Sequence, residues 1–276
     1  MLHLAYTLRK EGWYVAGTCR TQQKQQILSA QGIQAYCFNR DHPIPNLPHI
    51  LESVSYIINS VPPDTIGDPV FDLHSRDLIS LPALRWFGYL STTGVYGDTA
   101  SQWVDETAVP NPTGQRQKRR LYAEQSWLTL LATYNLPLHI FRLAGIYGPK
   151  RNALVAVKEK TAHRIQKPGH MFSRIHVDDI VTVLKASFTH LQPGTIYNVC
   201  DDEPAQGHEV VAYASHLLGC APPPLIPFKE AALSPRTASF YTDNRRVCNQ
   251  RIKKDLGISL RFTNYRAGLE HLMNSL

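Results

Sequence analysis

FGYLSTTGVYGD, residues 87–98, followed by PTGQRQKRRLYAEQSWL, residues 112–128, decides the fold. The first half is a short apolar, aromatic run that ends in hydroxyls and glycines. A polar loop then leads into a helical pattern. This reads as a strand that delivers Ser91, Thr92 and Thr93 at its carboxyl end, the end of a parallel strand where ligands bind. The three hydroxyls are therefore a site candidate. The structural alternative is that they terminate the strand and satisfy loop amides.

Working outward, helix and strand signals alternate. Leu2, Leu4, Ala5 and Leu8 fall at helical spacing closed by Gly12, and WYVAGTCR, residues 13–20, is a strand ending at Arg20. Residues 21–32 are helical in character, and IQAYCFN, from Ile33, is a strand. SYIINSVPP, residues 55–63, is an apolar run broken by Pro62 and Pro63, as expected of a buried parallel strand ending in a rigid turn. A helix through residues 71–81 leads back to the Phe87 strand, and a longer one spans 116–131. LPLHIFRLAGIYGPKRN begins a further strand at Leu136, and GTIYNVCDDEP, from Gly194, reads as a late strand returning to the main sheet near 195–199.

The 276 residues are 43% hydrophobic and 18% charged, enough apolar material for a substantial core. Twenty-nine basic against 22 acidic residues leave a net charge of +7, which suits anionic ligands. No basic stripe interleaved with aromatics and no zinc-finger spacing accompanies that charge, so nucleic acid is not an expected partner. Cys19, Cys37, Cys200, Cys220 and Cys248 are scattered, odd in number and without a C-x-x-C pair. They read as reduced, mostly buried thiols of a cytoplasmic protein. No apolar run reaches the roughly 18 residues of a membrane span, and the first residues lack a signal peptide's layout. His176 with Asp178 and Asp179 suggests metal ligation, but no further ligand lies at metal spacing, so helix capping by one of the aspartates is expected and a metal is not.

STTGVYG followed by a helix ending in AEQ resembles the active-site segment of the extended short-chain dehydrogenase/reductases, the NAD-dependent epimerase/dehydratase family. RLAGIYGPKRN and FSRIHVDDIV resemble two later motifs of the same family, and the matches run from Leu2 to Leu272. The resemblance implies an α/β protein with a Rossmann-type doubly wound parallel sheet over 1–150 and a smaller substrate lobe over 151–276. It implies that Thr92 polarises the substrate oxygen, that Ser60, Val61 and Pro62 run beside the cofactor ribose, and that Leu143, Ala144, Gly145 and Ile146 line the nicotinamide side. Arg174 and His176 would face a small-molecule substrate, and a homodimer would form through the helix carrying Arg116.

Two departures from the family pattern matter. The tyrosine and lysine of the family's Tyr-x-x-x-Lys pair fall on Arg116 and Arg120. A guanidinium stays protonated at any working pH, so Arg116 does not replace the phenol as acid or base. Spaced i, i+4, the two arginines read equally as an anion site for phosphate or carboxylate and as part of a solvated basic face with Lys118 and Arg119. Tyr122 projects from another side of the helix, which leaves Tyr96 as the nearby phenol. The second departure is at the start, where aligning Gly12 places Met1 at or beside the last glycine of the family's phosphate-binding turn. The expectation is a natural chain that begins earlier, with its first strand and glycine-rich loop ahead of Met1.

Arg20 stands where an NAD-preferring protein carries an acidic residue, which favours NADP while leaving NAD open. Two classes of function follow. One is an NADP-dependent oxidoreductase or epimerase acting on a small carbonyl or nucleotide-sugar-like substrate, with Thr92, Arg116, Arg120 and Tyr96 as catalytic candidates. The other is a non-catalytic NAD(P)-binding regulatory protein that has lost the Tyr-x-x-x-Lys pair.

Overall fold

The apolar spacing that opens the chain folds as α1 (Leu2–Lys10), which turns Leu4 and Leu8 inward. Gly12 follows at φ +86°, a conformation that glycine adopts without strain. The computed structural model describes residues 1–274. After α1 come β1 (Ala16–Cys19), α2 (Gln22–Ala30), β2 (Gln34–Cys37), α3 (Leu47–Ile50), β3 (Tyr56–Asn59), α4 (Pro69–Ile79) and β4 (Trp86–Thr92). A 3₁₀ turn over Thr93–Tyr96 leads through β5 (Trp103–Val104) to α5 (Gln115–Tyr134), β6 (Leu138–Leu143) and β7 (Gly145–Tyr147). Then follow α6 (Ala153–Lys158), β8 (Arg164–Gln166), β9 (Arg174–His176), α7 (Val177–Ser187), β10 (Ile196–Val199) and α8 (Gly207–Leu217). The chain closes with β11 (Leu225–Pro227), α9 (Pro235–Ala238), β12 (Arg246–Val247), α10 (Gln250–Leu256) and α11 (Tyr265–Met273).

Two compact units form, one from Met1–Leu90, Tyr122–His139 and Leu191–Thr195, the other from Ser91–Leu121, Ile140–His190 and Ile196–Leu276.

In the first unit β1 and β2 pair in parallel, from Ala16 opposite Gln34 to Cys19 opposite Cys37. Leu28 of α2 packs there with Ile33 and Ala35. A separate parallel pair, Tyr56 opposite Trp86 through Asn59 opposite Tyr89, joins β3 to β4, and the Phe87 amide donates to the Pro137 carbonyl at 2.8 Å. Among the described residues no strand pairs with the other edge of β1 or of β3. Trp127 of α5 is fully buried among Phe71, Phe87 and Tyr89. Aromatic rings of this size contribute most of the apolar area a small core can bury.

In the second unit β6 and β10 pair in parallel, Ile140 opposite Ile196 through Leu143 opposite Val199. Parallel strands joined through crossover helices, here as in the β3–β4 pair, are the pattern of a Rossmann-type sheet. Shorter parallel pairs join β7 to β9, β8 to β11 and β5 to β12. A second core gathers Tyr147, Leu154, Val210, Tyr265 and Leu269 beneath α8 and α11.

Candidate functional site

The end of β4 is built as the hydroxyl triplet suggests. Ser91 and Thr93 are buried, and Thr92 is half-buried with Oγ1 accepting the Gly94 amide at 3.1 Å, which caps the 3₁₀ turn. A hydroxyl used as an acceptor still has its proton to donate, so Thr92 can give a hydrogen bond to a substrate oxygen while the cap stays intact. A Cβ at Gly94 would lie 2.9 Å from Gln117 Cγ and 3.3 Å from Thr92 Oγ1. Gln117, the residue after Arg116, therefore rests against this turn, a position that the family pattern does not mark.

On the same stretch of α5 Arg116 and Lys118 are exposed, while Arg119 and Arg120 are half-buried. The loop that brings α5 back to the hydroxyl turn is held tightly. At Gly97, φ +69°, any Cβ would overlap the Asn111 carbonyl. Arg245 Nη1 donates to the Gly97 carbonyl at 2.7 Å, Asp98 Oδ1 accepts the Asn244 amide at 2.9 Å, and Asp243 Oδ1 accepts from Thr113 Oγ1 at 2.5 Å. Three consecutive residues from the far end of the sequence thus fix the geometry between Thr92 and Gln117. No spacing rule in the sequence announces them.

Tyr96 corrects the sequence reading. Its ring is buried and its hydroxyl donates to Asn198 Oδ1 at 2.8 Å, with the Arg142 guanidinium 4.9 Å from the ring centre. Burial raises the phenol above its usual range, with Arg142 opposing. Asn198 in turn donates its amide to Glu106 Oε1 at 2.7 Å, and Arg251 Nε lies 3.7 Å from Glu106 Oε2. Tyr96 belongs to an interior network that fastens the hydroxyl turn to β10, not to an open acid/base position.

His176 is a second correction. It is 1% exposed, its ring packs 4.3 Å from Phe262, and Nδ1 accepts the Asp178 amide at 3.2 Å. The histidine is itself the cap of α7, two residues ahead of Asp178. Asp179 instead accepts the amides of Arg261 and Phe262, at 2.7 and 3.1 Å. Arg174 of β9 is half-buried, and its Nη1 donates to the carbonyls of Phe172 and Ala205 at 2.8 and 2.9 Å. Beside it Asp201 is buried, and burial pushes its carboxyl up to about 8 against the opposing charge of Arg174. No motif joins these two residues in the sequence; the fold brings them together, with the Asp201 amide donating to the Arg174 carbonyl at 2.7 Å. Leu143 and Ala144 are buried at the end of β6, and Gly145 and Ile146 are exposed.

In the first unit Arg20 is exposed at the end of β1. Ser60 and Pro62 are exposed and Val61 half-buried in the loop after β3, where Asn59 Oδ1 accepts the Val61 amide at 3.0 Å. That loop is braced by Arg40, which holds Asp64 through two bonds of 2.7 and 3.0 Å and Asp72 through a third of 2.8 Å. The Arg40 guanidinium holds the Asp64 carboxyl at about 2.

A dinucleotide needs a polar group for its adenosine ribose, amides for its pyrophosphate, and walls for its reacting ring. In the first unit Arg20 is an exposed cation just past a strand end, and in the second unit Thr92 and Leu143–Ala144 lie at strand ends. Among the described residues no group of three or more His, Cys, Asp or Glu could hold a metal ion, and no helix is long and apolar enough to cross a membrane.

Residues 79–200, from the end of α4 through β10, match the model of the NAD dependent epimerase/dehydratase family, and the chain belongs to that family. It is 44% identical to a functionally unknown conserved protein from Silicibacter pomeroyi, with a TM-score of 0.90 over 99% of this chain and 94% of that one. It is 27% identical over 264 residues to protein YeeZ of Escherichia coli K12, covering 90% of this chain and 89% of YeeZ. The UDP-glucuronic acid 4-epimerase of Bacillus cereus, solved with NAD, shares the fold at 15% identity and a TM-score of 0.75, over 99% of this chain and 94% of that one.

Proposed function

We propose that the protein binds a nicotinamide dinucleotide, NADP in preference to NAD, and acts as an oxidoreductase or epimerase on a small carbonyl or sugar-nucleotide-like substrate. The observation that carries this reading is Thr92, a half-buried hydroxyl at a strand's carboxyl end, fixed by the Gly94 amide and still able to donate. When bound, the nicotinamide supplies or accepts hydride. Thr92 would hold and polarise the substrate oxygen, and Gln117 would orient the same group from α5. Arg116 and Arg120 would hold an anionic part of the substrate, and Arg174 is a further candidate for that work. The sugar-nucleotide class is supported by the likeness to the dTDP-D-glucose 4,6-dehydratase of Dictyostelium discoideum, 27% identical over 140 residues, although that match covers 43% of this chain and 32% of the relative. The homodimer implied by the resemblance belongs to this proposal as well.

One observation favours a regulatory reading instead. The positions of the family's proton donor and its lysine are held by Arg116 and Arg120, and Tyr96 is committed to Asn198. On that reading cofactor occupancy controls a partner, and no turnover occurs.

Calorimetric titration with NADPH and NADH, followed by NADPH oxidation against a panel of carbonyls and nucleotide sugars, separates the two. Saturable NADPH binding with turnover that is lost in Thr92→Val and retained in Thr92→Ser supports the enzyme. Binding with no turnover on any substrate supports the regulator, and absence of binding to either nucleotide refutes both.

A further inference from the structure

Cys19 and Cys37, which are far from one another in sequence, face each other in the fold. Each is the last residue of its strand, and they are partners in the parallel register of β1 and β2. Residues paired across strands project to the same face of the sheet. Here that face is the one under α2: Cys37 Sγ donates to Gln25 Oε1 at 3.3 Å, and Cys19 Sγ to the Thr21 carbonyl at 3.5 Å. Neither thiol is sealed, since both are half-buried, whereas Cys200 is buried outright and Cys220 lies exposed by itself. The expectation of mostly buried, scattered thiols therefore fails at this pair. The two groups also sense one another, for burial and then the neighbouring Cys37 hold the Cys19 thiol above its usual range. Adjacent strands lie about 4.8 Å apart, within the roughly 4.4–6.8 Å Cα separation that disulfides span. Because both cysteines are at strand ends, closing a bond between them leaves the ladder behind them in place.

We propose that Cys19 and Cys37 form a redox-active dithiol that closes to an intramolecular disulfide by exchange with a small-molecule disulfide such as oxidised glutathione. One cysteine, as its thiolate, attacks a sulfur of the small disulfide, breaks that S–S bond and releases one small thiol. The second cysteine then attacks the sulfur now bound to the protein, which forms the Cys19–Cys37 bond and releases the second small thiol. The two protein thiols give up two electrons and two protons, and the small disulfide takes them up as two thiols. The closed loop carries α2, so the state of the bond constrains the helix that Thr21, next to Arg20, caps.

The test uses the full chain, equilibrated with mixtures of oxidised and reduced glutathione, blocked at its free thiols and digested with trypsin without reduction. The expected result is that peptides 11–20 and 25–40 are recovered as one linked species that separates on reduction, with both thiols lost in parallel. Cys19→Ser and Cys37→Ser should each leave the remaining cysteine as a stable mixed disulfide with glutathione. If the two peptides stay separate in the most oxidising mixture, or if each carries its own glutathione in the unaltered chain, the proposal is overturned. The peptide map of the unaltered chain decides the matter even if a variant fails to fold.

Discussion

Trp127 Nε1 donates to Asp68 Oδ2 across 3.0 Å, and the same oxygen accepts from Asn59 Nδ2 at 3.2 Å. Through Oδ1 the carboxylate also takes the amides of Val70 and Phe71, at 2.9 and 3.2 Å. One buried side chain thus caps α4, fixes the end of β3 and anchors the middle of α5. Loss of a helix cap costs about 0.5–2 kcal/mol, and a buried donor left unpaired about 1–3 kcal/mol. Asp68→Ala should therefore cost roughly 3–5 kcal/mol in urea unfolding. Asp68→Asn, which keeps an acceptor for the cap, should cost less. A change below about 1 kcal/mol for the alanine variant would show that the carboxylate does not anchor these elements.

Tyr96→Phe addresses the phenol that the sequence offers as an acid or base. The variant removes one buried hydrogen bond and should cost about 1–2 kcal/mol of stability. Any turnover should stay within a few-fold of the parent. Turnover abolished in a variant that remains folded would return Tyr96 to the chemistry.

Much of the fold was legible in the sequence because its signals are local. The hydroxyl-ended strand at 86–92, the helix from 115 and the Pro-terminated strand at 56–59 each carry their own period and breaker. The site was legible only where a motif fixes a residue, as at Thr92. Gln117 carries no signal of its own, because the family pattern marks its neighbour Arg116. Asp243, Asn244 and Arg245 reach Thr113, Asp98 and Gly97 in turn across more than a hundred residues, and no periodicity records such a contact. Tyr96 and His176 misled for a related reason. Their residue types suit catalysis, and only the three-dimensional structure shows both buried, with the Tyr96 hydroxyl bonded to Asn198 and His176 Nδ1 to the Asp178 amide.

Asp201 predicts a pH dependence. Its carboxyl is pushed up to about 8 in the folded chain, from an ordinary 3.8. Between those values the folded state keeps a proton that the unfolded state has lost, so this group's stabilisation is complete below the lower value and declines as pH rises toward the upper one. Asp201→Asn, which cannot ionise, should be more stable than the parent above pH 8 and should flatten the profile between pH 5 and pH 8. Melting temperatures measured across that range check it. Parallel profiles for the two proteins would mean that Asp201 ionises as an ordinary carboxylate.

Arg20 is the residue proposed to set cofactor preference. Charge-assisted hydrogen bonds contribute about 1.5–3 kcal/mol. Arg20→Glu should therefore weaken NADPH relative to NADH by roughly 10- to 100-fold, read from the two dissociation constants. Equal losses for both nucleotides would place Arg20 away from the 2′-phosphate.

The four tryptophans are unevenly shared. Trp86 and Trp127 are sealed in the core of the first unit and Trp13 lies half on its surface against Tyr56, while Trp103 stands more than half exposed in the second. Intrinsic emission is therefore an optical gauge of one unit. Loosening of the first unit moves two buried indoles into water and shifts the spectrum to the red. Loosening of the second, whose one indole is already wet, leaves the colour nearly unchanged.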